Sequence, residues 1–381
     1  MKYIYQHTDW PNFTWDQERL LKLLANVTHH QGRLLGRMEV LGFQLQAEAT
    51  LQAMTIEVIK SNEIEGQTLD ADQVRSSIAR RLGMDIAGLV PSDRHVDGVV
   101  EVILDATRKY KESLTIDRLC AWQSALFPSG RSGMQKIVVG AWRDNKADDP
   151  MQVVSGAMGK ERVHFQAPSS EVLDHEMRQF MSWFNSSNDL HPILKAAIAH
   201  LWFVTIHPFD DGNGRIARTI ADMQLARADG TPQRFYSMSA QIRMERNDYY
   251  DILEKTQKGS MDITVWMEWF LGCLDRALMT ADTTTGGVIE KARYWEYLLT
   301  KNLNDRQRLM MNLLLDGFVG KLNSSKWAKI TKCSQDTALR DIQDLMNQNV
   351  LAKEQSGGRS TTYILIKLEG TSKNPVYDSR S

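Results

Sequence analysis

The chain has 381 residues, 42% of them hydrophobic and 24% charged, with a formal net charge of −1. That length has room for two or three domains and a sizeable core, and the near-zero charge excludes bulk attraction of the whole molecule to nucleic acid or membrane. Cys120, Cys273 and Cys333 form no Cys-x-x-Cys pair, which excludes a disulfide framework or a zinc knuckle. No apolar run reaches transmembrane length, and the polar, aromatic opening Met1–Trp10 is unlike a secretory leader. A cytoplasmic location with no membrane partner is expected.

In chain order, residues 1–90 read as a helical N-terminal region. Within it, residues 51–65 form one helix with Leu51, Met54, Ile56, Val58, Ile59 and Ile64 as its apolar residues. Gly66 suits the left-handed position that closes it, and Ser61 and Glu65, four apart, share a face. Residues 91–280 read as a mainly α core. It carries two short β-prone runs, Gln152–Val154 and Arg162–Phe165, joined through Ser155, Gly156 and Gly159. Such a hairpin either covers the helices or offers an edge to an extended peptide. Residues 192–206 predict a helix with apolar residues at helical spacing, ended by Pro208. The next helix is expected from Arg215, with Ile216, Ile220 and Met223 inward, and a further one spans 246–256. Residues 263–278, rich in Trp and Phe, close the core. Thr283–Gly287 reads as a linker and 289–299 as a connecting helix, so that residues 281–301 join the core to a smaller unit. That unit, residues 302–367, orders as a helix at 306–317, a helix-turn-helix at 325–347, and strands at 350–353 and 361–366 flanking Gly357-Gly358-Arg359. A tail, 368–381, follows.

The densest chemistry lies in His207-Pro208-Phe209-Asp210-Asp211-Gly212-Asn213-Gly214-Arg215-Ile216-Ala217-Arg218. Glycines let backbone amides face an anion, and the start of the following helix adds a positive dipole end. Arg215 and Arg218, three apart, lean to one side with guanidinium forks suited to phosphate. Asp211 is a hard carboxylate of the kind Mg²⁺ shares with phosphate oxygens. His207, at a helix end, is a proton acceptor near neutral pH.

This stretch resembles the signature of the Fic family, His-Pro-Phe-x-Asp/Glu-Gly-Asn-Gly-Arg-x-x-Arg, at every fixed position. The resemblance implies a helical domain that transfers AMP from ATP to a Ser, Thr or Tyr hydroxyl of a target protein or of the chain itself. His207 would then be the base and Asp211 the Mg²⁺ ligand. Gly212, Asn213 and Gly214 would cradle the phosphates, and Arg215 and Arg218 would hold the β and γ phosphates. Gly140-Ala141-Trp142-Arg143 together with the two β-prone runs is similar to the family's β-hairpin flap, placing Val163 and His164 near the nucleotide. Tyr249, Tyr250 and Gln257 are implied neighbours of the base and ribose, although a tyrosine pair in a helix is also ordinary core packing. Ser61-Asn62-Glu63-Ile64-Glu65-Gly66 matches the family's inhibitory motif, Ser/Thr-x-x-x-Glu-Gly/Asn, in which Glu65 would reach Arg218 and displace the γ phosphate. The opening segment is similar to one often fused to Fic domains, and homodimers are common in the family. The last unit resembles a winged-helix domain, which makes DNA a candidate partner and a protein-interaction or dimerisation module the other reading. Two alternatives to AMP transfer stand at this stage: removal of AMP from modified proteins, and a nucleotide-sensing DNA-binding regulator.

Overall fold

The structure is a computed structural model. It describes residues 2–84, 88–146, 148–156, 162–187, 189–315, 318, 320–354 and 361–366, with the backbone alone described for 284–292. Gly159, Gly317, Gly357-Gly358-Arg359 and the tail therefore lie outside the described residues. The helices are α1 (Gln17–Glu39), α2 (Phe43–Ile64), α3 (Ala71–Leu82), α4 (Arg94–Arg108) and α5 (Ile116–Leu126). Two small hairpins follow: β1 (Arg131–Ser132) with β2 (Gln135–Lys136), and β3 (Gln152–Ser155) with β4 (Arg162–Gln166), both antiparallel. Then come α6 (Leu173–Asn185), α7 (Pro192–Ile206), α8 (Asn213–Asp229), α9 (Met238–Met244), α10 (Arg246–Gln257), α11 (Thr264–Leu299), α12 (Asp305–Leu315), α13 (Ser324–Thr331) and α14 (Gln335–Asn347). An antiparallel pair, β5 (Leu351–Lys353) and β6 (Tyr363–Leu365), ends the described chain. By compactness the chain divides into Met1–Asp282 and Thr283–Ser381.

The first unit is built around α7, whose residues from Ile193 to Ile206 are all buried. Burial on every side explains why its sequence is apolar all round. Each large side chain there, such as Leu201 or Phe203, contributes roughly 1.5–3 kcal/mol on removal from water. Pro192 opens the helix at a position where a missing amide costs nothing. His207 closes it in the left-handed conformation, φ 53°, where histidine is several-fold enriched over most residues. α8 packs along α7, α4 lies against α8, and α2 lies against α3 and α9. Gly98 lets α4 and α5 meet, because a Cβ there would collide with the Ala125 carbonyl.

Three boundaries differ from those read in the sequence. α8 begins at Asn213 and not near Arg215, because Gly212, at φ +89°, already turns the chain into the helix. α2 begins at Phe43, two turns ahead of Leu51. Residues 283–287 continue inside α11 and are helical where a linker was expected. Two glycines cost about 1 kcal/mol each in a helix, a sum that neighbouring turns can offset.

In the second unit, Trp327, Met310, Met311, Ala338, Ile342 and Leu345 form a core of their own. Ser334 caps α14 by accepting the Thr337 amide, and Leu322 bridges to Tyr363 beside the β5–β6 pair. The exposed face of α14 carries Gln335, Leu339, Arg340 and Gln343, together with Asp336 and Asp344. Among the described residues no helix is long and apolar enough to cross a membrane.

Candidate functional site

Two adjoining helix ends make the site. His207 ends α7, and its Nδ1 lies 3.1 Å from the Val204 carbonyl oxygen. A carbonyl only accepts, so Nδ1 carries the hydrogen and Nε2 presents a lone pair. Burial lowers the imidazole pKa to about 4; the Val204 bond opposes that shift, and the charge of Arg143 adds to it. The ring is therefore a neutral acceptor throughout the physiological range.

Arg143 fixes this end of α7 from beneath. Its backbone amide donates to Pro208 O at 2.9 Å, its Nε donates to His207 O at 2.7 Å, and its Nη2 reaches Pro168 O. It is 2% exposed, and burial lowers its pKa to about 10. Trp142 packs on Phe209 with ring centres 4.9 Å apart. The Gly140–Arg143 run is thus a strap under the motif and not part of the hairpin strands. The reason is its bonding, which goes to the 207–208 backbone and leaves nothing for a ladder. Nothing local in the sequence separates Arg143 from a surface arginine.

Between His207 and α8 the turn is held by its own side chains. Asn213 Oδ1 accepts the Phe209 amide at 3.0 Å, and its Nδ2 donates to Phe209 O at 2.7 Å. Its side chain is therefore committed to the turn, and only its backbone amide remains for an anion, a correction to the expectation of a side-chain contact. Asp210 accepts the Val138 amide at 2.8 Å. Asp211 accepts the Gly212 amide at 2.6 Å and a hydrogen bond from the Ser132 hydroxyl of the β1–β2 hairpin. Gly212 is required twice over: its φ is positive, and a Cβ would stand 2.9 Å from the Phe127 ring.

The α8 start exposes amides without intrahelical partners, and the two arginines rise beside them. Both are 3% exposed. Arg218 donates from Nε to Ser61 Oγ at 3.0 Å and from Nη2 to Ser61 O at 2.9 Å, and its Nη2 pairs with Glu65 Oε1 at 2.8 Å. Its Nη1 is buried with no partner among the described residues. Burial lowers the Arg218 pKa, but the Glu65 charge outweighs it and the net shift is upward. Arg215 is lowered, chiefly by burial. Its Nη1 donates to Gln67 Oε1 at 2.9 Å and lies 3.5 Å from Asn62 Oδ1, and its guanidinium sits 4.8 Å above the Phe127 ring. A Cβ on Gly214 would collide with Glu65 Oε1, so the carboxylate rests directly over the first turn of α8.

α2 delivers Ser61, Asn62, Glu65 and Gln67 through one cap. Gly66, at φ +77°, donates its amide to Glu63 O at 3.1 Å, and the Gln67 amide donates to Asn62 O at 3.0 Å. This is the paired bonding of a Schellman end. Tyr250 Oη lies 3.3 Å from Glu65 Oε2, and burial, reinforced by Glu65, raises its pKa to about 12. It is a donor to that carboxylate.

The other expected contacts divide. Tyr249 is 1% exposed and bonds His200 at 2.9 Å. Gln257 is buried and donates to Thr205 at 3.3 Å. Both are core supports, since their polar atoms are already used inside. Val163 faces Val154 across the β3–β4 hairpin, both exposed. His164 is engaged on both nitrogens, by Glu254 at 2.6 Å and by Ser155 at 2.5 Å. Burial pushes Glu254 up, but hydrogen bonds from His164, Lys258 and Arg162 outweigh it and hold it at about 2. That carboxylate anchors the hairpin to α10.

No group of three or more His, Cys, Asp or Glu side chains among the described residues could enclose a metal by itself. Asp211 alone fits Mg²⁺ differently: this ion commonly takes one or two carboxylates, waters and substrate phosphate oxygens.

The comparisons add the following. Residues 113–225 match a family model described as the Fic/DOC family, and residues 3–84 match a domain of unknown function (DUF4172). The protein adenylyltransferase Fic of Aedes aegypti is 28% identical over 236 residues, covering 60% of this chain and 42% of that protein. The protein of the same name in Nematostella vectensis is 26% identical over 227 residues, covering 58% and 47%. The chain thus spans less than half the length of these curated relatives. A crystal structure of a Fic family protein from Desulfovibrio desulfuricans G20 aligns with TM-score 0.54 and 21% identity, over 96% of this chain and 99% of that one. A Fic-domain-containing signaling protein from Bacteroides thetaiotaomicron aligns with TM-score 0.51 and 21% identity, over 69% and 97%.

Proposed function

We propose that this chain, which belongs to the Fic/DOC family, transfers AMP from ATP to a protein hydroxyl and is restrained by its own α2. The relatives named protein adenylyltransferase support the reaction class, and the residues supply its parts. The triphosphate lies over the α8 start, where free amides, Arg215 and Arg218 meet its negative charge. Asp211 would hold Mg²⁺, which would neutralise phosphate charge when bound. An acceptor Ser, Thr or Tyr hydroxyl approaches His207 and passes its proton to Nε2. Its oxygen bonds to the α-phosphorus, and the bond to the bridging oxygen breaks, so pyrophosphate leaves held by the arginines. The exposed β3–β4 hairpin is a suitable edge for an extended acceptor segment.

The observation that carries this reading is Glu65. An anionic group already rests over the first turn of α8 on a buried guanidinium, which marks that position as an anion seat. While Glu65 occupies it, a γ phosphate cannot reach Arg218, and the α-phosphorus is not held in line with the acceptor. The test uses the Glu65→Gly variant with two labels. Label at the α phosphate should remain on protein and label at the γ phosphate should not; the reverse pattern indicates phosphoryl transfer and refutes the proposal.

A further inference from the structure

The segment that carries the brake also touches Arg215, and it does so with different chemistry. Arg218 meets a carboxylate. Arg215 meets only the amide oxygens of Gln67 and Asn62 and the face of Phe127. Neutral acceptors fix a guanidinium without cancelling its charge, and an aromatic face orients it flat. Gln67 is itself fixed, because its amide closes the Schellman end on Asn62 O. Phe127 is wedged against Gly212 as well as beneath Arg215.

From this asymmetry we infer that Gln67 is a positioning residue of the nucleotide site. It aims Arg215 at the diphosphate while Glu65, two residues earlier, blocks Arg218. One helix cap then carries two opposed functions. The inference rests on the proposed binding of a nucleoside triphosphate at these arginines. It differs from a simple plug in its consequence: removing the Glu65 carboxylate opens the site, whereas removing the Gln67 amide spoils the opened site.

The experiment compares three full-length proteins: Glu65→Gly, Glu65→Gly with Gln67→Ala, and Glu65→Gly with Gln67→Glu. Affinity for the magnesium complex of α,β-methylene-ATP is read by calorimetry, and melting temperature is read alongside. A hydrogen bond to a charged group converts to about a tenfold change, so the Gln67→Ala double variant should bind about tenfold more weakly. Gln67→Glu keeps an acceptor at the same reach but adds a charge that cancels Arg215. It should bind more weakly still, although a structural role for the side chain would predict recovery. Equal affinity in all three overturns the inference while leaving the proposed function standing. Tighter binding or faster transfer in the Gln67→Ala double variant also overturns it and makes Gln67 a second brake. No binding by Glu65→Gly itself overturns both readings.

Discussion

Replacing Glu65 separates the brake from the fold, because the structure assigns one contact to both. Arg218 is 3% exposed and pairs with Glu65 at 2.8 Å, the glutamate side chain being 31% exposed. A hydrogen bond to a charged group contributes about 1.5–3 kcal/mol. The half-open carboxylate argues against the larger penalty of a fully buried pair. Taking about 2–3 kcal/mol, the blocked arrangement is favoured by roughly 30- to 150-fold. Glu65→Gly should therefore raise AMP transfer by up to that factor at saturating magnesium ATP. The same loss leaves Arg218 with Ser61 as its remaining listed-by-geometry acceptor, Oγ and O. Without ligand the variant should melt roughly 4 °C lower, given the unfolding entropy of a unit of this size. Saturating nucleotide then returns about 2.7 kcal/mol at a hundredfold excess over Kd, and the order of melting temperatures should invert. Glu65→Gln keeps the side-chain shape without the charge and should fall between the two, which separates charge from the backbone freedom of glycine. Equal transfer rates and no inversion in differential scanning fluorimetry would refute the reasoning.

In the Glu65→Gly background, His207→Ala should abolish transfer and leave the calorimetric affinity for magnesium ATP within about twofold, since the base contributes a rate term of 10²–10⁴ and no phosphate contact. A pH profile should keep its acid limb below the ordinary histidine value of 6.5, because burial holds His207 near 4 and a deprotonated ring is the active form. The sign for stability follows: the folded pKa is depressed, so stabilisation is full above about 6.5 and is lost as pH falls toward 4, by about 3 kcal/mol from this group, which urea titrations at both pH values measure. Arg143→Met should lower kcat by about tenfold or more with nucleotide affinity unchanged, and should move the acid limb upward by removing a charge that lowers the His207 pKa. Gly98→Ala should cost about 3 kcal/mol, the upper range for overpacking, and lower the melting temperature without altering the shift that nucleotide produces.

Much of the site was legible because its residues are neighbours in sequence. Pro192 and Pro208 bracket α7, and the helix runs between them as expected. Ser61, Glu65 and Gly66 predicted an anion on Arg218, and the ion pair is there. α14 matches its expected span because Ser334 caps it. The residues that escaped notice act over long sequence separations. Arg143 lies 64 positions before His207, and Ser132 lies 79 before Asp211. Gln67 lies 148 positions before Arg215. No local period or turn signal marks such contacts. The first two turns of α2 escaped for another reason: Gln44, Gln46 and Glu48 break the apolar pattern there, and the helix is recognisable only from what packs on it.

The three buried guanidiniums of the site differ in how their charge is answered, and the difference orders their functions. Arg143 spends its donors on the backbone carbonyls of His207 and Pro168, so it holds structure and keeps the neighbouring imidazole neutral. Arg218 is answered by a borrowed carboxylate from α2. Arg215 is oriented by neutral groups and retains its charge. A buried cation without a counterion is costly, so an anion must be supplied either by the chain or by a ligand. Glu65 supplies it in the resting protein, and a triphosphate supplies it in the working one. The restraint on activity is thus the folded protein's own remedy for an anion site, and any ligand that releases it must bring negative charge to the same place.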